Sequence, residues 1–196
     1  MTEILVLCTA NHCRSAMTES LLRHRLAAVG VTATIRSAGV SVPAAGPASD
    51  SALRERAEPP AEVITALAAY ELDAAAHRSR ALSDGDLAGS DLVLAMAREH
   101  LRHAVVELPG AWPRAFTLKE LVRRGQQIGP RRAGESLAGW LGRAHDGRDR
   151  SALLGDSPDD DVADPTGGPP HAYAVTAEQL DQLLARLVEL AWGCAS

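Results

Sequence analysis

Apolar positions along the chain recur at two spacings, one suited to strands and one to helices. Ile4 to Leu7 form a short apolar run that reads as a buried strand, and Met17, Leu21, Leu22, Leu26 and Val29 then fall on one helical stripe. The same reading gives strands over 4–8, 31–36, 91–96 and 105–108, and helices over 14–29, 61–70, 83–89, 97–103, 117–124 and 132–145. A closing helix from about 171 to 192 is the clearest, with Leu180, Leu183, Leu184, Leu187, Leu190 and Ala191 at helical spacing behind Pro169 and Pro170. Strands alternating with helices predict an α/β fold, a single three-layer domain with a central parallel sheet of about four strands and helices on both faces. One domain over 1–196 is expected, with insertions around 43–60, rich in Ala, Ser and Pro, and 125–161, which joins an arginine-bearing helix to an Asp/Gly-rich linker.

Composition narrows the class. A chain of 196 residues, 46% of them hydrophobic, can build one α/β core but not two comfortable ones. No apolar stretch reaches the length of a membrane span and no signal peptide precedes Cys8, so a cytoplasmic protein without a membrane partner is expected. Three cysteines suit a reducing compartment better than a disulfide framework. The net charge of −5, with no platform of aromatic and basic residues, argues against a nucleic-acid partner.

The chemistry concentrates in Cys8-Thr9-Ala10-Asn11-His12-Cys13-Arg14-Ser15, between the first predicted strand and the first predicted helix. At such a junction the free backbone N–H groups and the positive end of the helix dipole converge on an oxyanion. Five residues between Cys8 and Arg14 let the backbone curl around a tetrahedral dianion, with the thiol below and a planar guanidinium at the rim. The donors that bind the anion also favour thiolate over thiol, the state a covalent nucleophile needs. Neither a Gly-rich dinucleotide loop nor a Walker-type loop is present, which disfavours a nucleotide-binding α/β protein.

This segment resembles the active-site loop of the low-molecular-weight protein tyrosine phosphatases, and other stretches extend the likeness. Asp164-Pro165, just before the final helix, stands where that family carries its general acid; alone, Asp-Pro would read as an ordinary turn. Ser37-Ala38-Gly39, His77-Arg78-Ser79-Arg80 and the strand Asp91 to Met96 also match family landmarks. The resemblance implies Cys8, Arg14 and Asp164 as catalytic residues and Thr9 through Ser15 as the phosphate cradle. It implies Asn11, Ser15, Ser37 and His77 as loop support, with Asn suited to left-handed backbone. It further implies no cofactor and no metal. The activity it implies is hydrolysis of protein phosphotyrosine through a cysteinyl-phosphate, on phosphorylated protein partners, by a monomer or weak homodimer.

Departures from the family pattern open alternatives. Pro43, Thr166 and Gly167 stand where tyrosine-specific members carry aromatics. Tyr70, Tyr173, Trp112, Trp140 and Phe116 are candidates for a substrate wall from elsewhere. Phe116 to Glu120 and the Asp-Pro-x-Gly-Gly form resemble phosphoarginine phosphatases on the same scaffold, and His12 matches neither common option at a position that tunes this choice. A non-catalytic phosphate reader is the competing class, although Cys8, Arg14 and Asp164 are all present. A thiol-linked arsenate reductase is less favoured, because Cys13 and Cys194 do not provide its mid-chain relay. Cys13 could protect Cys8 through a reversible disulfide. Asp159 to Asp161 read as a solvated acidic stretch, and Arg131, Arg132, Arg143, Arg148 and Arg150 as a solvated basic face.

Overall fold

The computed structural model describes residues 1–41 and 57–193. Strand β1 (Thr2–Cys8) leads into α1 (Arg14–Ala28) and β2 (Ala33–Gly39). Helices α2 (Ala61–Ala68) and α3 (Asp84–Ala88) precede β3 (Leu92–Ala95) and α4 (Arg98–Glu107). A 3-10 turn (Pro109–Arg114) then gives way to β4 (Ala115–Thr117), α5 (Leu118–Ile128) and α6 (Leu137–His145). A second 3-10 turn (Arg150–Leu153) and a long loop lead to α7 (Pro170–Trp192).

The four strands form one parallel sheet in the order β2-β1-β3-β4, the architecture that alternating strands and helices predict. Because strand side chains alternate, β1 divides its apolar residues between two cores. Ile4, Val6 and Cys8 face the core shared with α1 and α7, while Leu5 and Leu7 face the one shared with α4. Burial on both faces leaves β1 an almost unbroken apolar run. It also places Cys8 at the carboxyl edge of the sheet, in register with Gly39 of β2. No helix among the described residues is long and apolar enough to cross a membrane.

Three sequence expectations are corrected. Residues 105–108 are not a strand: Val105 to Glu107 finish α4, whose Leu101, Ala104 and Val105 share one buried face. The fourth strand lies at Ala115–Thr117, three residues long and therefore too short to display an alternating pattern. Val29 caps α1 half exposed rather than continuing its stripe. The helix expected from 132 begins only at Leu137, because Gly134 takes a positive φ of 77° and Ser136 caps the new helix by accepting from the Gly139 N–H.

Within residues 125–161, α6 packs its Trp140, Leu141 and Ala144 into the core. Trp140 is fully buried, and a Cβ at Gly125 would come within 2.9 Å of its ring and 3.0 Å of Leu190, so glycine permits the close approach of α5, α6 and α7. Arg148 corrects the expected basic face. Its guanidinium lies 3.6 Å from the Trp112 ring centroid and 3.9 Å from that of Phe116, and it forks onto Glu120 at 2.7 and 2.8 Å. Arg143 likewise pairs with Glu135, and Arg131 binds the Ala191 carbonyl.

Candidate active site

The loop between β1 and α1 is held open by one asparagine. Asn11 is fully buried with φ 58°, in the left-handed region that asparagine tolerates better than most residues. Its side-chain oxygen accepts from the Arg80 N–H at 2.9 Å, which fixes the amide orientation. The amide nitrogen then donates to Ser15 Oγ at 2.9 Å and to Ser37 Oγ at 2.8 Å. His77 Nε2 donates to the Asn11 carbonyl at 2.8 Å. All four residues expected to support the loop therefore meet.

Their hydrogen bonds run in one direction. Ser37 accepts from Asn11 and donates to Glu19 Oε2 at 2.5 Å. Ser15 accepts from Asn11, so its own hydrogen is left for Cys8 Sγ at 2.9 Å. Glu19, whose Oε2 also lies 3.8 Å from His77 Nδ1, was not singled out from the sequence. Its signal was available: Glu19 is one helical turn beyond Ser15 on the same face of α1.

Arg14 and Asp164 come together although 150 positions separate them. Arg14 Nη2 lies 2.6 Å from Asp164 Oδ2, and Nη1 donates to the Val162 carbonyl at 3.1 Å. The arginine is buried, whereas the aspartate side chain is 42% exposed and faces the mouth of the site. Thr166 holds the other carboxylate oxygen through its N–H at 3.1 Å and its hydroxyl at 2.8 Å, and that hydroxyl also reaches Cys13 Sγ at 3.6 Å. Thr9 Oγ1 accepts from Arg14 Nη2 at 3.1 Å.

Asp160 and Asp161 are not the solvated stretch expected from their sequence. Asp160 is buried between Arg98 and Arg123, each at 2.7 Å, while Asp161 accepts from the N–H groups of Arg98 and Ser157. These bonds pin the loop that carries Asp164 to α4 and α5. Burial pushes the Asp160 carboxyl up, but hydrogen bonds from Arg123 and Arg98 outweigh it and hold the group below its ordinary range.

A pocket of about 190 Å³ opens over Cys8, lined by Thr9, Ala10, His12, Cys13, Arg14, Pro60, Asp164 and Thr166. Apart from the imidazole of His12, no aromatic ring lines it among the described residues. Trp112, Trp140 and Phe116 are core residues, Tyr70 borders a groove between α2 and α7, and Tyr173 is buried on α7. Pro43 and Cys194 lie outside the described residues. Burial, followed by the neighbouring His77, pushes His12 down, so it is neutral at physiological pH. Burial raises the Cys13 thiol, with the Asp164 charge adding to the effect, and both Cys8 and Cys13 are free thiols.

A parallel α/β sheet that delivers a cysteine and an arginine onto one anion cradle defines a cysteine-based phosphatase scaffold. The chain belongs to the low molecular weight phosphotyrosine protein phosphatase family, whose model matches residues 3–127. A protein-arginine-phosphatase of Geobacillus stearothermophilus is 30% identical over 186 residues, covering 95% of this chain and 93% of that protein. Among solved structures, the low molecular weight protein tyrosine phosphatase of T. tengcongensis is 32% identical with a TM-score of 0.66, over 96% of this chain and 99% of that one. A cysteine-to-serine variant of the YwlE arginine phosphatase, with a phosphorylated active-site serine, is 25% identical with a TM-score of 0.66, over 96% and 94% of the two chains.

Proposed function

We propose that this chain removes phosphate from phosphoarginine in proteins, with Cys8 as nucleophile. The observation that carries the choice of substrate is the described wall of the pocket, which offers His12, Pro60 and Thr166 where a phenyl ring would need aromatic partners. Each missing stack forgoes about 0.5–1.5 kcal/mol for a tyrosine ring, whereas a guanidinium leaving group needs polar neighbours instead. Neutral His12 adds no charge repulsion against that cation. The near full-length likeness to an arginine phosphatase supports the same choice. Phosphotyrosine is the second reading, favoured by comparable identity to a tyrosine phosphatase.

In this reading the phosphoryl group enters the cradle and replaces Asp164 on Arg14. Cys8 thiolate attacks phosphorus in line while the loop N–H groups and Arg14 hold the equatorial oxygens. The P–N bond breaks as Asp164 delivers a proton to the departing nitrogen. Asp164 then takes a proton from water, which cleaves the S–P bond and returns phosphate and thiolate. Ser15 stabilises the sulfur anion as it leaves. Residues 1–196 act as one phosphatase domain, with 43–60 and 125–161 as elaborations of it, and its thiol nucleophile suits the reducing cytoplasm.

The deciding experiment is metal-free steady-state hydrolysis of matched phosphoarginine and phosphotyrosine peptides by the wild type and Cys8→Ser. A higher kcat/KM on the phosphoarginine peptide, lost in Cys8→Ser, is expected. A higher value on phosphotyrosine would overturn the substrate assignment, and phosphate binding without turnover of either peptide would indicate a reader.

A further inference from the structure

The Asn11 network braces one side of the cradle, and a second buried array braces the other. His100, on α4, is fully buried, and its Nε2 lies 2.9 Å from Thr9 Oγ1. Its Nδ1 is buried without a hydrogen-bond partner among the described residues. An unpaired buried N–H is rarer and less tolerated than an unpaired acceptor, so the proton belongs on Nε2 and the lone pair on Nδ1. Nε2–H then donates to Thr9 Oγ1, with Glu99 Oε1 also within 3.1 Å.

This tautomer settles the role of each atom around Thr9. The hydroxyl oxygen accepts from His100 Nε2 and from Arg14 Nη2 at 3.1 Å, and its own hydrogen faces Glu99 Oε1 at 3.5 Å. Both lone pairs of Thr9 Oγ1 are thereby in use. Arg14 rests on an acceptor that cannot rotate away without breaking a buried hydrogen bond. Burial, followed by the Arg14 charge, pushes His100 down to about 3, so it remains a neutral donor throughout the working pH range.

We infer that His100 is a positioning residue for phosphate binding: by donating from Nε2 to the Thr9 hydroxyl, it fixes the oxygen on which the Arg14 guanidinium is aligned. The inference rests on the phosphatase reading, in which Arg14 grips the phosphoryl oxygens. Its consequence differs from that of a core-filling histidine. Loss of the Nε2 donor should misalign Arg14, whereas a side chain that only filled space would be replaceable by any residue of similar volume.

The test compares His100→Gln, which can return an amide donor near the Nε2 position, with His100→Leu, which cannot. Thr9→Val and the Thr9→Val/His100→Leu double variant complete a cycle. Binding of inorganic phosphate is read by calorimetry, kcat and KM with an aryl phosphate, and folding by urea denaturation. The expected result is a roughly tenfold weaker phosphate Kd and a similar rise in KM for His100→Leu. His100→Gln should regain most of this loss, and the double variant should be no weaker than Thr9→Val alone. A folded His100→Leu with unchanged phosphate Kd, or equal losses in the Gln and Leu variants, would overturn the inference. Should His100→Leu fail to fold, a folded Thr9→Val with unchanged phosphate Kd would overturn it instead. A wild type that neither binds phosphate nor hydrolyses aryl phosphate would defeat the phosphatase reading itself, and the inference with it.

Discussion

Replacing Asn11 separates the two things it supplies, a left-handed backbone and a set of hydrogen bonds. Asn11→Gly keeps the φ of 58° without steric penalty but removes three buried hydrogen bonds, to Ser15, to Ser37 and from the Arg80 N–H. At about 1 kcal/mol net for each bond, the glycine variant should lie about 3 kcal/mol below the wild type. Asn11→Ala loses the same bonds and adds the left-handed penalty of about 1–2 kcal/mol, less about 0.4–1 kcal/mol because alanine restricts the unfolded chain. Alanine should therefore fall a further ~0–1.6 kcal/mol below glycine. Urea denaturation of the three proteins, fitted with a common m value, measures both intervals. Alanine more stable than glycine would show that the loop is not held left-handed. Glycine as stable as the wild type would show that the three bonds contribute nothing net. Both variants should also lose turnover, since Ser15 would no longer be oriented toward Cys8.

Three other outcomes follow from geometry. Asp160 has a folded-state pKa below its ordinary value of 3.8, so its contribution is complete above that value and is lost as pH falls through the lower folded value. The stability gap between wild type and Asp160→Asn should be constant near neutrality and close below about pH 4 in urea titrations; a gap that widened on acidification would contradict the assignment. Arg148→Met should lose up to about 3–5 kcal/mol because it breaks the buried fork and leaves Glu120 with Arg124 at 3.5 Å, and a second change, Glu120→Leu, should return part of it; thermal melts with no recovery would refute the pairing. Asp164→Asn should slow hydrolysis more for poor leaving groups than for good ones, and equal slowing would undo its role as proton donor.

The sequence made the cradle legible because its chemistry is local. Cys8, Asn11, Arg14 and Ser15 fall within one strand-to-helix junction, and their spacing alone implies an anion held over a thiol. Ser37 and His77 became readable only through family likeness, since nothing in the spacing of either residue announces a partner 26 or 66 positions away. β4 escaped because three residues carry no period, and its neighbour α4 ended in a run, Val105 to Leu108, that mimics a strand. Charged residues misled most. Arg148, Asp160 and Asp161 look solvated in a polar stretch, and their burial depends on partners from α4, α5 and the Trp112 turn that only the folded chain supplies. His100 was invisible for the same reason, one histidine on a helix whose inner face happens to meet Thr9.

The contact between Arg14 and Asp164 has a consequence for how the protein comes into being. Synthesis delivers Cys8 and Arg14 well before Asp164, whose loop is tied down through Arg98 and Arg123 in between. A chain interrupted after α5 would keep Cys8 and Arg14 and lack Asp164. Under the proposed mechanism such a fragment would lack both the proton for the departing nitrogen and the base for the attacking water, so neither step could run at its full rate. Translation to the far end of the sheet-and-helix core is thus what completes both steps of the proposed reaction.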